Sequence, residues 1–225
     1  MTASKDDESF LCLGAAPVEM DQFWSEGWRH FGIIFMRYGS AFHAGKLFTV
    51  LPLRVDLERF SLTRSQKRVV ARNQDTEIVI RPSFVDEEKQ ALFEKHRLRF
   101  DENTPTSLYN FLSEFPDSVP CENVELCVYL DGELRGVTFL DLGARATSGV
   151  YAMFDPAERK RSLGILMMLH SIRVSRQRGC RYYYPGYAYH EPFAYDYKKR
   201  LAGLEYLDWT EGWRPYVNAV QSYAR

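Results

Sequence analysis

The residues best suited to chemistry lie in the second half of the chain. In the junction from Asp155 to Leu166 (DPAERKRSLGIL), Arg161 and Gly164 stand at the start of a long helical pattern. Free backbone N–H groups and the helix dipole make such a start a place for a phosphate or carboxylate. The same stretch suits an Asp-x-x-Glu cap formed by Asp155 and Glu158, and the two uses are compatible. The second candidate is Tyr182-Tyr183-Tyr184-Pro185-Gly186-Tyr187-Ala188-Tyr189. Strand alternation sends Tyr182 and Tyr184 to one face and Tyr183 to the other, with Tyr187 just past the strand end. Such rings can stack on a base, cap a pocket or fill a core. Asp141 closes one strand of a hairpin and Ser148 opens the next strand, so both are polar groups that can converge near the helix start. His190-Glu191 offers a loop base or a solvated pair. GxSxG, HExxH, Walker and dinucleotide motifs are absent, which leaves hydrolase, zinc-protease, phosphoryl-transfer and hydride-transfer chemistry without support.

The net charge of -1 hides an uneven distribution. Residues 1–26 hold six carboxylates against one lysine. Residues 59–73 hold Arg59, Arg64, Lys67, Arg68 and Arg72 with no acid. From Glu158 to Arg181 there are seven cations and one acid, and Lys198-Lys199-Arg200 adds a third basic patch. Clustered cations in a near-neutral chain suit a polyanion, or are solvated helix faces. Cys12, Cys121, Cys127 and Cys180 form no CxxC pair, so neither a disulfide framework nor a zinc site is expected, and all four read as reduced core residues. The acidic start lacks a signal-peptide pattern and no apolar run reaches the roughly 20 residues of a membrane span. The cytosol is the expected compartment, without membrane partners.

The elements that must position these residues follow from period and punctuation. A short helix is expected around Met20 to His30, then extended runs from Phe31 to Tyr38 and Leu47 to Val55. Thr63 can cap a helix that Asn73 ends, with Arg64, Lys67, Arg68 and Arg72 on its exposed face. A strand from Thr76 to Arg81 precedes a helix from Asp86 to Arg99 with Leu92, Phe93 and His96 on one side. Pro105 opens a short helix running through Phe115. Glu125–Leu130 and Glu133–Leu142 flank Asp131-Gly132, the pair that a type I′ hairpin turn needs. A third strand spans Ser148 to Phe154, a long helix runs from Arg161 to Arg178 and stops at Gly179, and an aromatic strand covers Arg181 to Tyr184. Three strands, a helix entered from a strand, and a further strand are the order of an acetyltransferase-type (GNAT) acyltransferase fold. The expected class is therefore α/β: a GNAT-like domain over residues 76–225 behind a smaller α/β segment, residues 1–75. Arg161-Ser162-Leu163-Gly164-Ile165-Leu166 matches the GNAT pyrophosphate loop R/Q-x-x-G-x-G/A except at the last position, where Leu166 would place a side chain against an approaching phosphate.

Read together, Gly27-Trp28-Arg29-His30-Phe31-Gly32, Pro52-Leu53-Arg54-Val55, Arg64-Ser65-Gln66-Lys67-Arg68, Ser148-Gly149-Val150-Tyr151, Asp155-Pro156, Arg161-Ser162-Leu163-Gly164, Tyr184-Pro185-Gly186-Tyr187 and Tyr197-Lys198 resemble the aminoacyl-tRNA-protein transferases. That family comprises the arginyltransferases and the related bacterial leucyltransferases. The resemblance implies transfer of an amino acid, arginine ahead of leucine, from charged tRNA to the N-terminal α-amine of a protein or peptide, with an acidic first residue among the candidates. It implies tRNA phosphate contacts at Arg54, Arg64, Lys67, Arg68 and Arg72, and Arg161 and Gly164 near the terminal adenosine. Asp141, Ser148, Tyr151, Tyr187 and Lys198 become the candidates for pocket polarity and proton transfer. No cofactor or metal is implied beyond aminoacyl-tRNA as co-substrate, and DNA is not expected as a partner. The cysteine-rich N-terminal region of the family is missing, since only Cys12 lies there. The rival readings are an acyl-CoA N-acyltransferase and a non-catalytic tRNA-binding module.

Overall fold

Strand alternation and capping residues build one large sheet with helices on both faces. The computed structural model describes residues 7–100 and 104–217, so Lys5 and Asp6 of the acidic lead and Asn103 lie outside the described residues. In chain order the elements are β1 (Glu8–Leu11), α1 (Pro17–Ser25), β2 (Arg29–Phe31), β3 (Ile34–Arg37), β4 (Ser40–His43), β5 (Lys46–Asp56), α2 (Arg64–Arg72), β6 (Glu77–Pro82), α3 (Glu87–Arg97), β7 (Asn123–Leu130), β8 (Glu133–Leu142), β9 (Ala146–Phe154), α4 (Leu163–Gln177), β10 (Tyr182–Tyr189), β11 (Leu204–Asp208) and β12 (Gly212–Pro215). The main sheet has the order β12-β11-β5-β10-β9-β8-β7-β6, with β4 paired to one end of β5. A separate sheet has the order β1-β3-β2.

Only the β9–β10 pair is parallel in the main sheet. The α4 crossover between these two strands makes that possible. Opposite parities along each strand serve the two faces. Leu126 of β7 and Leu140 and Leu142 of β8 pack with Met168, Leu169 and Ile172 of α4. Cys127, Val137 and Phe139 pack with Leu92 and Phe93 of α3. Met20 and Trp24 of α1, with Phe35 of β3, cover Ala146 and Tyr184. β5 lies between β10 and β11, so the sheet spans the boundary at residue 75.

Several local expectations hold. Thr63 caps α2 reciprocally with Gln66, and Asn73 follows its last turn. Asp131 and Gly132 both adopt positive φ at the β7–β8 turn, and Gly179 does so after α4. Cys121, Cys127 and Cys180 are buried. Other expectations are corrected. The run from Phe31 to Tyr38 is broken by Gly32, whose φ of 54° turns β2 back onto β3. The helix at Met20 to His30 lies earlier, at Pro17–Ser25, because Pro17 starts it and Gly27 turns the chain at a φ of 87°. Between Pro105 and Phe115 only Leu108–Asn110 is helical, a single 3-10 turn capped by Ser107. The aromatic strand runs on to Tyr189 because β5 pairs with it past a bulge at Tyr184–Pro185. No helix among the described residues is long and apolar enough to cross a membrane.

Candidate active site

The parallel pairing of β9 and β10 covers only Ala146–Ser148 against Tyr182–Tyr184. Beyond it β9 continues to Phe154 and β10 to Tyr189, with no shared register. The loss of pairing leaves an opening between the two strands in the middle of the sheet. On the β8 side, a bulge leaves Val150 of β9 without a partner. On the other side, Gly186 takes a φ of 90° and presents no side chain to the opening.

Arg29 enters this opening from β2. It can do so because Gly27 turns the chain where a Cβ would come within 2.7 Å of Leu207 and 2.8 Å of Trp209. One end of its guanidinium donates to Ser148 Oγ at 2.6 Å and the other to the Gly149 carbonyl. The neighbouring His30 faces Asp141 Oδ2 at 2.8 Å, and Asp141 is the cross-strand partner of Ser148. Two successive β2 residues are thus tied to paired residues of β8 and β9. Asp141 also accepts from Asn123 Nδ2 at 2.7 Å, and His30 Nδ1 faces the Gly32 carbonyl at 2.9 Å. Both ring nitrogens of His30 therefore face oxygen atoms. Asp141 and His30 are 2% and 5% exposed, and their bond ties β2 to β8.

Lys198 approaches from the turn after β10. Its Nζ donates to the Tyr187 carbonyl at 3.0 Å and lies 5.1 Å from the Tyr195 ring centroid. A Cβ at Gly186 would sit 3.4 Å from both Lys198 Nζ and the Arg29 guanidinium carbon, so the two cations share the space that glycine leaves. Burial, then the Arg29 charge, brings the Lys198 ammonium down to about 7. Burial also lowers Arg29, opposed by Tyr187 and Asp141. The Tyr187 hydroxyl donates to the Gly27 carbonyl at 2.6 Å, and burial pushes its pKa up. Burial raises Tyr38, whose ring meets Tyr187 edge-on, to about 12. The phenols around Arg29 are therefore neutral.

Ser148, Tyr187 and Lys198 converge on Arg29, a residue that sequence reasoning placed only inside the Gly27–Gly32 segment. Asp141 stands one layer behind them. Tyr151 belongs to a different group: its ring stacks on Phe111 at 3.9 Å, and its buried hydroxyl has no hydrogen-bond partner among the described residues. Among the cations, Arg64, Lys67, Arg68 and Arg72 all lie exposed on α2. Arg72 donates to the Lys160 carbonyl, joining α2 to the turn before α4. Arg161 is held by Asp75 at 2.8 and 2.9 Å and by Glu158 at 3.2 Å, at an open groove lined by Arg72, Lys160 and Arg161. Arg54 stands apart from α2. It is bonded to Glu205 at 2.7 Å between the rings of Tyr182 and Trp213.

Gly164 lies in the first turn of α4 against Phe154, and Ser162 before it is left-handed at φ 58°. Leu166 is 1% exposed, packed with Leu163, Met167 and Val128. Its side chain therefore faces the core, which corrects the expectation that it obstructs the helix start. His30, Cys121 and Asp141 have ligand atoms within 4.8 Å of one another, the one group of metal-ligand composition among the described residues. Burial and then Asp141 push the Cys121 thiol up.

Residues 88–208 match the family model described as arginine-tRNA-protein transferase, C terminus, which is more than half of the chain. The chain belongs to the aminoacyl-tRNA-protein transferases. As a member of that family it is an aminoacyltransferase, and the matched segment carries Ser148, Tyr187 and Lys198 of the opening. An aspartate/glutamate leucyltransferase from Chromohalobacter salexigens is 31% identical over 176 residues, covering 76% of this chain and 70% of that protein. One from Helicobacter hepaticus is 27% identical over 189 residues, covering 80% and 76%. Among solved structures, L-PGS from Bacillus licheniformis superposes on 83% of this transferase with a TM-score of 0.51 at 12% identity. FemX superposes on 79%, with a TM-score of 0.51 at 10% identity. This chain spans 54% and 61% of those two structures, and the likeness concerns fold alone. The transferase fold is GNAT-like.

Proposed function

We propose that this transferase takes leucine from the 3′ end of charged tRNA and joins it to the N-terminal α-amine of a protein or peptide whose first residue is acidic. The observation that carries the reading is the β9–β10 opening, lined by Arg29, Ser148, Gly186, Tyr187 and Lys198. Leucine comes first because the relatives matched along most of their length are named leucyltransferases, and those names lend no support to the arginine preference drawn from sequence. The same names supply the acidic acceptor.

In the reaction the α-amine nitrogen attacks the ester carbonyl. The new C–N bond forms, the C–O bond to the ribose breaks, and the amine proton passes to the departing ribose oxygen. Aminolysis of an ester is downhill, so the protein's task is to hold a neutral amine against the carbonyl. Backbone N–H groups along the unpaired part of β9 are suited to polarise that carbonyl. An α-amine with a pKa of about 7.7–8.0 needs no strong base. The exposed Arg64, Lys67 and Arg68 have no carboxylate partner among the described residues, which suits them to tRNA phosphates and gives binding that weakens with salt. Use of charged tRNA supports the cytoplasm as the compartment.

The test is single-turnover transfer of labelled leucine or arginine from individually charged tRNAs to peptides beginning with Asp, Glu, Lys or Arg, with N-acetylated peptides as controls. Leucine transfer that needs a free α-amine and favours Asp or Glu is the expected result. Salt-sensitive tRNA binding without transfer would instead support a binding module. Tight coenzyme A binding without tRNA binding would support an acyl-CoA N-acyltransferase.

A further inference from the structure

Every buried or half-buried arginine or lysine among the described residues has a carboxylate within ion-pair distance, with two exceptions. The exceptions are Arg29 and Lys198. They come from opposite walls of the β9–β10 opening and meet over Gly186, the position where any side chain would intrude between them. Their hydrogen bonds to Ser148, Gly149 and Tyr187 use one N–H on each terminal nitrogen of Arg29 and one of the three on Lys198, leaving donors over for a ligand. The nearest acid in the field of Arg29 is Asp141, whose oxygens are committed to His30 and Asn123. Tyr183, Tyr187 and Tyr38 add polarity without negative charge.

We infer that Arg29 and Lys198 form a carboxylate receptor that takes the first side chain of the acceptor. The assignment rests on the proposed transfer reaction. A planar guanidinium fixed by Ser148 and Gly149 gives a directional contact, and the ammonium gives a point charge that reaches either a short or a longer acidic side chain. The α-amine of an acceptor held there is one residue's length from the carboxylate, which places it within the same opening as the unpaired edge of β9. Phosphates of the tRNA have a separate set of exposed cations on α2 and at Arg159 and Lys160. An acid is therefore read inside the sheet and a polyanion outside it. The closing of the pair by a ligand carboxylate supplies the neutralisation that every other partly buried cation obtains from the protein itself.

The test compares kcat/KM for peptides beginning with Asp and with Asn, which differ by one charge at nearly constant shape. Lys198→Met and Arg29→Gln should each lower the Asp-to-Asn ratio at least tenfold, and Lys198→Arg should restore most of it. Lys198→Glu should reverse the preference toward peptides beginning with Lys. If the variants lower Asp and Asn peptides by the same factor, the pair serves the donor or the chemistry and the assignment is overturned. Calorimetry of Asp-Ala-amide and Asn-Ala-amide with the protein alone separates this from the transfer reading. Binding that prefers Asp in the wild type and loses that preference in Lys198→Met supports the receptor even where no amino acid is transferred. Equal binding of both amides by the wild type overturns it, whatever the transfer assay gives.

Discussion

At the α3 end of the sheet, Lys89 and Glu125 are both 0% exposed, yet each has its partners. Glu125 pairs with Arg81 at 2.7 Å and with Lys89 at 3.1 Å, and Lys89 also pairs with Asp86 at 2.8 Å. Two positive and two negative groups close on one another. In the β9–β10 opening, Arg29 and Lys198 bring two positive groups together around Gly186, with no carboxylate among the described residues within ion-pair distance of either. The first arrangement is complete within the chain, so its loss damages folding. The second is incomplete until a ligand enters, so its loss should damage recognition and leave folding alone. Buried charge of the same kind thus marks a structural knot in one place and a binding site in the other.

The largest effect is expected where the closed cluster is broken. Glu125→Gln leaves Lys89 fully buried with one partner instead of two, and should destabilise the protein by about 3–5 kcal/mol in urea unfolding. An unchanged midpoint would erase the difference between the clusters. Acid probes the same end of the molecule through His96, whose Nδ1 accepts from the Phe154 N–H at 3.1 Å. Burial lowers His96 from 6.5 to about 4. The unfolded chain therefore binds the proton more readily, and the contribution of His96, up to ~3 kcal/mol, is present above pH 6.5 and lost as pH falls toward 4. His96→Gln should flatten that part of the stability profile.

In the opening, Lys198→Met should lower kcat/KM for an Asp-initiated peptide about 100-fold, or ~2.7 kcal/mol, with a melting temperature equal to or above that of the wild type. A parallel loss of stability would make Lys198 part of the fold's own charge balance. Because Lys198 titrates at about 7, its charge is lost as pH rises through neutrality. The groups facing it are Arg29, the Tyr187 carbonyl and the Tyr195 ring. KM for the Asp peptide should therefore rise severalfold between pH 6 and 8.5, while KM for the Asn peptide changes little. Lys198→Arg should remove the dependence. The smallest effect belongs to the exposed surface: Arg64→Glu with Arg68→Glu should weaken tRNA binding about tenfold and lower its log–log salt slope by roughly one unit per lost phosphate contact.

Local rules made much of the fold legible. Thr63 and Asn73 bound α2, Asp131-Gly132 fixes the β7–β8 hairpin, and tyrosine alternation correctly assigns Tyr183 and Tyr184 to different faces. What was illegible depends on distant chain segments meeting. Nothing near β5 says that it pairs with β10 and β11, and β11 and β12 carry too weak an alternation to stand out. Arg29 acquires its role from Ser148, 119 residues away, and from the absence of any acid beside it, which no local pattern encodes. Leu166 was misread because motif position says nothing about side-chain direction. The period of α4 turns it inward with Leu163 and Met167.

The place of β5 has a consequence for how the chain reaches this state. Residues 46–49 of β5 pair at once with β4, but the rest of the strand, residues 50–56, has partners that are synthesised more than a hundred residues later. During translation that part of β5 leaves the ribosome with its edges unmet, and pairings over such separations are slow to form. A fragment starting at residue 76 would leave the facing edges of β10 and β11 bare. Such edges recruit other strands, so shortened forms of this protein are expected to aggregate even when every residue lining the opening after β5 is present.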